Sequence, residues 1–262
     1  MKTLVISSSP HKDGLCARLS IEVIKGVKEA GSEAELITLA DKNINPCLAC
    51  EEPPCWRRME CKVKDDALEL RKKLNDSDAL AFLAPVYFLS VNGLAKNFMD
   101  RMRYYGESGK PALAVAVAGG TGKGCILSLQ GICRWLIMLG FRPINPLPVT
   151  RYNLDAALVE ARMRGKRIAQ LKPQPFSSLA EKIFYYESLP YMRDGMVNEI
   201  AFLAREAING ILRRGRLDLA AGAIEKLGRG EALLRLGKFE EGLKLITSAH
   251  EESMSVFNSL TH

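Results

Sequence analysis

Apolar residues in the first two thirds of the chain alternate between short continuous runs and runs at helical spacing. Lys2–Ser7 is a brief apolar run that stops at a loop containing Ser, Pro and Gly, and it reads as a strand. Leu19, Val23, Ile24 and Val27 then recur at helical intervals and predict a helix over residues 15–30. Residues 35–39 give a second strand, 66–74 a short helix, and 78–84 a third strand. A helix over 89–104 and a strand over 111–118, continuous in Ala and Val, come next. A glycine-opened helix through residue 140, a strand over 143–149 and a helix over 156–171 complete the series.

Strand and helix alternating five times imply a parallel sheet covered on both faces, because parallel strands need crossover connections. Residues 79–83 and 112–117 are apolar almost throughout, as a doubly buried strand requires. The strand count and the right-handed crossover rule favour a flavodoxin-like, doubly wound α/β fold with five parallel strands in the order 2-1-3-4-5. Ligands of such sheets lie beyond the carboxyl ends of the strands, near the point where the winding reverses. The loops after Ile6, Leu83 and Val117 are therefore the ones to inspect.

From Pro173 the strand signals vanish. Val197, Ile200, Ala204, Ala207, Ile208, Ile211 and Leu212 form one apolar stripe, predicting a helix over about 197–212. Two more helices are expected over 217–227 and 232–246, punctuated by Gly228, Gly230 and Gly237. Residues 230–243 faintly resemble one tetratricopeptide-type repeat, but a solenoid needs about three. The expected organisation is thus a domain over 1–172, with a cysteine-rich loop at 41–65, and an all-helical extension over 173–262 that serves assembly or docking.

Composition narrows the function classes. Hydrophobic residues make up 47% of the chain, ample for a core, and no apolar run approaches the ~20 residues that span a bilayer. Leu4-Val5-Ile6 is too short for a signal-peptide core, so a cytoplasmic protein without membrane contact is expected. The net charge is +7, with 26 Lys+Arg against 18 Asp+Glu before Pro173 and 11 against 12 from there on. A basic first domain suits phosphate-bearing ligands or an acidic partner. Neither a nucleic-acid recognition motif nor a dense basic stripe is present, which argues against a nucleic-acid role.

Four of the seven cysteines, Cys47, Cys50, Cys55 and Cys61, fall within fifteen residues. Soft thiolates at this density point to one metal centre, either zinc or an iron–sulfur cluster. The C-x2-C-x4-C-x5-C spacing lacks two separated C-x2-C knuckles and any nearby histidine, so one loop around a cluster fits it better than a zinc module does. Disulfides, a structural zinc and idle thiols are the alternatives; nothing in the chain points to an oxidising compartment. Arg57, Arg58, Lys62 and Lys64 lie among the cysteines, where their charge would raise the potential of a cluster.

The three strand-end loops carry their own signals. Ser7-Ser8-Ser9-Pro10-His11-Lys12-Asp13-Gly14-Leu15-Cys16 joins strand one to helix one. Its hydroxyls, its glycine and the helix N-terminus suit a phosphate, although there is no GxGxxG fingerprint. Pro85-Val86-Tyr87-Phe88 sets two aromatics at the end of strand three, where they would pack on a flat ring or cap the core. Ala118-Gly119-Gly120-Thr121-Gly122-Lys123-Gly124 lets backbone approach such a ring closely.

Ser8-Ser9-Pro10-His11-Lys12-Asp13-Gly14, Pro85-Val86-Tyr87-Phe88 and Lys96-Asn97-Phe98-Met99-Asp100-Arg101 resemble the pattern of NADPH-dependent FMN reductases. With the cysteine loop and the Lys64-Asp65-Asp66 that follows, the chain resembles the iron–sulfur flavoproteins of anaerobic prokaryotes over about residues 1–171. The resemblance implies FMN held by Ser8, Ser9, Pro10, His11, Lys12, Gly14, Leu15 and Cys16, by Pro85, Val86, Tyr87 and Phe88, and by Ala118, Gly119, Gly120, Thr121 and Gly122. It also implies a [4Fe-4S] cluster on Cys47, Cys50, Cys55 and Cys61, and a homodimer or homotetramer in which one subunit's cluster faces another's flavin. Leu15 and Cys16 replace the Asn and Thr usual in that family, and Glu51-Glu52-Pro53-Pro54 widens the second cysteine gap from two residues to four.

The expected function is an FMN-dependent oxidoreductase that moves electrons between a donor and an acceptor through FMN and the cluster. NAD(P)H, ferredoxin and quinone-like compounds are the expected redox partners. The alternatives are an NAD(P)H:FMN or quinone reductase whose cysteine loop binds zinc or no metal, and a non-catalytic flavodoxin-like adaptor with a helical docking tail. No residue is assigned acid–base or nucleophilic catalysis, because His11, His250 and His262 form no triad-like arrangement and cofactors carry the chemistry. Cys125 and Cys133 read as core, and Arg101 as either a helix ending or an oligomer contact.

Overall fold

The computed structural model describes residues 1–51, 55, 58–103 and 108–261. Its strands are β1 (Lys2–Ser7), β2 (Glu33–Thr38), β3 (Ala79–Tyr87), β4 (Ser90–Val91), β5 (Pro111–Ala118), β6 (Arg142–Pro143) and β7 (Leu147–Thr150). Its helices are α1 (Leu15–Glu29), α2 (Ala67–Asp76), α3 (Gly93–Arg101), α4 (Cys125–Met138), α5 (Leu154–Ile168), α6 (Leu179–Ser188), α7 (Met196–Leu212), α8 (Leu217–Arg235) and α9 (Phe239–Ser259). Among the described residues, no helix is long and apolar enough to cross a membrane.

The chain divides into two compact units. The first comprises residues 1–119, 124–149 and 155–192. Its sheet runs β2-β1-β3-β5-β6, with β4 paired to β3 and β7 to β5. All four steps along that path are parallel; Val5, for example, lies opposite Leu36 on one side and Ala81 on the other. This is the flavodoxin-like order expected from the alternation. Leu4 to Ile6, Ala79 to Ala84 and Ala112 to Ala116 have no exposed surface, since helices cover both faces. One face carries Leu4, Ile6, Phe82 and Ala114 against Leu70, Phe98, Leu129 and Ile132. Phe82 and Phe98 stack there and Trp135 meets both rings at an angle, with centroids 5.2 to 5.9 Å apart. Tyr186, Leu189 and Met192 belong to the same core, so α6 and the residues after it pack with the sheet unit.

Three boundaries differ from the sequence expectation. The helix expected from residue 89 begins at Gly93, because Phe88 and Leu89 take φ of 45° and 71°, outside the helical range, and turn the chain into the β3–β4 hairpin. The fifth strand is split into β6 and β7 by the Pro146-containing stretch between them. The break expected at Gly228 and Gly230 is absent: α8 runs through both to Arg235, and the helix expected over 232–246 is instead α9, Phe239–Ser259.

The second unit comprises residues 120–123, 150–154 and 193–262. Its core joins α7, α8 and α9 through Ala204, Ala207, Ile211, Ala223, Ile246 and Ala249. A Cβ on Gly230 would sit 2.7 Å from Ile246 Cγ1 and 2.9 Å from the Gly242 carbonyl. Gly230 therefore permits close packing of α8 on α9 and does not end a helix.

Candidate functional site

In the first unit, β1, β3 and β5 are parallel, so the loops after Ile6, Leu83 and Val117 emerge at one edge of the sheet. Contacts draw these loops together. The Ser8 hydroxyl is buried and donates to Asn92 Oδ1 at 3.0 Å, while Asn92 Nδ2 donates to the Ser8 carbonyl at 2.7 Å. The Ser8 backbone N–H donates to the Leu83 carbonyl at 3.0 Å. The polar groups of Ser8 thus bind the loop to β3 and α3. Asn92 also caps α3 by accepting from the Ala95 N–H at 3.2 Å. Sequence reasoning missed Asn92; a cap-type residue just before a helix was its only signal.

The remainder of the first loop keeps anion-binding features. Ser9 is buried, and its hydroxyl accepts from the His11 N–H at 3.2 Å. Pro10, His11 and Lys12 are exposed, and Lys12 pairs with Asp41 at 2.7 Å. Gly14 precedes α1, whose first turn has no capping side chain and no acidic residue. Its opening N–H groups therefore face outward from a positive helix end with no intrahelical partner, as phosphate binding requires. Leu15 is half-buried and Cys16 buried; burial pushes the Cys16 thiol up to about 12, so it stays protonated and unreactive at neutral pH.

Pro85 is buried, Val86 half-buried, and Tyr87 and Phe88 exposed, Phe88 at 98%. An almost wholly exposed aromatic held at positive φ is strained, and such strain is typical of ligand sites. Desolvation, with the nearby Cys16 as a smaller influence, raises the Tyr87 phenol above its usual range. Gly124, with φ of 84°, lies so close to this loop that a Cβ would fall 2.3 Å from Leu89 Cα. A Cβ on Gly119 would meet Leu15 Cδ1 at 3.3 Å, which joins the end of β5 to the start of α1. Ala118 is buried and Gly119 exposed. Gly120, Thr121 and Gly122 fall in the second unit, where a Cβ on Gly122 would lie 2.4 Å from Leu203 Cδ2.

The cysteine segment leaves the carboxyl end of β2, the strand beside β1. Its two ends are fastened together. Asn43 N–H donates to Asp66 Oδ2 at 2.7 Å, Asp66 N–H returns to the Asn43 carbonyl at 3.0 Å, and Asn45 N–H donates to Asp65 Oδ2 at 2.8 Å. Within the segment, Cys47, Cys50, Cys55 and Cys61 line one cavity of about 310 Å³ together with Lys62, Arg101 and Arg103. Among the described residues, no group of three or more His, Cys, Asp or Glu side chains is arranged tightly enough to hold a single metal ion. Glu52, Pro53, Pro54, Trp56 and Arg57 of this segment lie outside the described residues.

Arg101, at the last position of α3, is the buried group of this cavity. Its side chain is 2% exposed and that of its partner Asp65 has no exposed surface. Burial opposes the Asp65 carboxylate, but hydrogen bonds from Arg101 and from the Asn45 and Ala67 N–H groups outweigh it and hold its pKa below the usual range. From sequence Arg101 reads equally as a helix ending or an oligomer contact, because its partners, Asn45, Cys61 and Asp65, lie 36 to 56 residues away. Cys125 and Cys133 are fully buried core residues, as expected.

A model of the NADPH-dependent FMN reductase family matches residues 1–146. The chain is 31% identical to an iron-sulfur flavoprotein of Methanocaldococcus jannaschii, over 65% of this chain and 97% of that one. It is 35% identical to an iron-sulfur flavoprotein of Archaeoglobus fulgidus, over 47% of this chain and 57% of that one. In fold, it matches an NAD(P)H:quinone oxidoreductase from Methanothermobacter marburgensis with a TM-score of 0.53 and 19% identity, over 64% of this chain and 96% of that one. The family match, on a doubly wound parallel sheet, places the chain in the class of FMN-dependent oxidoreductases. The chain belongs to the NADPH-dependent FMN reductase family.

Proposed function

We propose that the protein transfers electrons between a reduced donor and an acceptor through FMN and a [4Fe-4S] cluster held by Cys47, Cys50, Cys55 and Cys61. The observation that carries this reading is the lining of one cavity by all four cysteines, at the same sheet edge from which the flavin loops emerge. FMN supplies two-electron exchange with a nicotinamide and one-electron exchange with a cluster, so the pair links the two kinds of partner. NAD(P)H or ferredoxin is the proposed donor and a quinone-like compound the proposed acceptor.

In this reading the FMN phosphate rests on Ser9 to Cys16, where α1 offers unpaired N–H groups to an anion. The ring lies against Pro85 to Phe88 and Ala118 to Gly119. Ser8 and Asn92 act beneath the ligand by fixing the loop to α3. That helix then connects the two sites. Asn92 caps one end beside the flavin loop and Arg101 closes the other beside the cysteine cavity, nine helical residues or about 13 Å away.

We read the centre as a cluster and not zinc on the C-x2-C-x4-C-x5-C spacing, which lacks two separated knuckles. Tetrahedral zinc draws its sulfurs to about 2.3 Å from one point. All four cysteines line one cavity of about 310 Å³, the shared lining that this reading requires. Lys62, Arg101 and Arg103 complement the charge of a thiolate-ligated cluster. A homodimer or homotetramer that brings one subunit's cluster near another's flavin completes the proposal. Replacing Cys50 by Ser tests the assignment: iron should be lost with FMN retained, and unchanged iron content would refute it.

A further inference from the structure

We infer that Arg101 is a positioning residue for the cysteine centre: its fork is locked by Asp65 so that one N–H points at the Cys61 sulfur and sets the potential of the bound cluster. The inference rests on the proposed four-cysteine cluster site. Arg101 Nη1 donates to Asp65 Oδ2 at 2.7 Å and to the Asn45 carbonyl at 2.7 Å. Nη2 donates to Asp65 Oδ1 at 3.0 Å and to Cys61 Sγ at 3.3 Å. The carboxylate thus takes both arms of the guanidinium, which fixes its plane and leaves the second Nη2 hydrogen directed at sulfur.

Asp65 is itself held in place. It accepts from the Asn45 N–H at 2.8 Å and from the Ala67 N–H at 3.1 Å. The Arg101 carbonyl accepts from Arg71 Nη2 at 2.6 Å, so a second buried arginine anchors the same helix end. Such a group does more than close a loop. A fixed positive charge donating a hydrogen bond to a metal-bound thiolate stabilises the more negative, reduced form of a cluster and raises its potential. Guanidinium stays charged at all accessible pH, so the effect is constant. Arg103 lines the same cavity, but its Nη1 donates to the carbonyls of Asp100 at 3.0 Å and Met102 at 2.7 Å. It supplies charge without the bond to sulfur and serves as the control.

The test is anaerobic redox titration of the full-length holoprotein, followed by EPR of the reduced cluster, for wild type, Arg101→Gln, Arg101→Lys and Arg103→Gln. Iron, sulfide and FMN contents are measured on each sample. Arg101→Gln should retain FMN and lower the cluster potential enough to change the reduced-to-oxidised ratio about tenfold, which is about 59 mV for one electron. Arg101→Lys keeps the charge, loses the fork, and should fall between the two. Arg103→Gln should shift the ratio by less than about threefold, or about 28 mV. If Arg101→Gln fails to load iron, the loaded Lys variant decides the matter, and a wild-type potential there overturns the proposal. Equal shifts at Arg101 and Arg103 also overturn it, since bulk charge would then suffice. A wild-type protein without iron removes the cluster reading itself, whereas a loaded, unshifted Arg101→Gln removes only the role of Arg101.

Discussion

Replacing Asn92 by Ala probes the contact that holds the loop between β1 and α1, the proposed seat of the FMN phosphate. The residue is 3% exposed, so water cannot stand in for what is lost. Removing the Ala95 cap costs about 1 kcal/mol. The Ser8 carbonyl, deprived of its 2.7 Å donor in a buried setting, adds about 1–3 kcal/mol. The Ser8 hydroxyl loses Asn92 Oδ1 but keeps the Leu83 carbonyl at 3.3 Å, so its share is small. The sum is a loss of about 2–4 kcal/mol. Urea unfolding of the flavin-free protein, followed by Trp fluorescence, measures it without ligand stabilisation. Because the loop is also released, FMN titration of the folded variant should show at least about tenfold weaker binding. A stability change under about 0.5 kcal/mol with FMN affinity unaltered would refute the reasoning.

Other outcomes follow from the same geometry. Gly124→Ala places a Cβ 2.3 Å from Leu89 Cα at φ of 84°, and should destabilise the protein by more than about 2 kcal/mol in thermal or urea unfolding. A wild-type midpoint would show that the two loops do not meet. Cys50→Ser should leave the flavin absorbance intact while iron disappears, because the cysteine cavity and the flavin loops are built from different residues. Glu181 has its carboxyl lowered to about 2 by the Ser177 N–H, Arg142 and the Ser177 hydroxyl. Its contribution is therefore complete above pH about 4.5 and fades as pH falls towards about 2. The gap in melting temperature between wild type and Glu181→Gln should narrow over that interval, and a gap that widens on acidification contradicts the assignment.

Much of the fold was legible because its signals are local. The doubly buried strands β1, β3 and β5 are continuous in apolar residues, and only a parallel sheet with helices on both faces accommodates several of them. The cysteine density was equally plain, since four thiols in fifteen residues need no partner elsewhere to be noticed. What escaped depends on tertiary contact. The turn at Phe88 and Leu89 places two bulky residues at positive φ, against their own preference, so a helix from residue 89 was the natural reading. Asn92 and Arg101 look like ordinary helix-end residues until folding brings Ser8, Asp65 and Cys61 to them. Gly230 reads as a helix breaker, yet it sits inside α8 because α9 comes within reach of its missing Cβ. The short helix α6 also went unnoticed, although Ser178 accepts from the Glu181 N–H at 3.1 Å and Glu181 lies three residues beyond the cap, as in a capping box.

The most direct test of the central claim is anaerobic purification with quantitative iron, acid-labile sulfide and flavin analysis on one sample, joined to a dithionite titration followed by absorbance. The account predicts about four iron and four sulfide per FMN, with broad absorption near 400 nm that bleaches on reduction alongside the flavin bands. A protein carrying FMN with zinc, or with no metal, on its cysteine loop would contradict it.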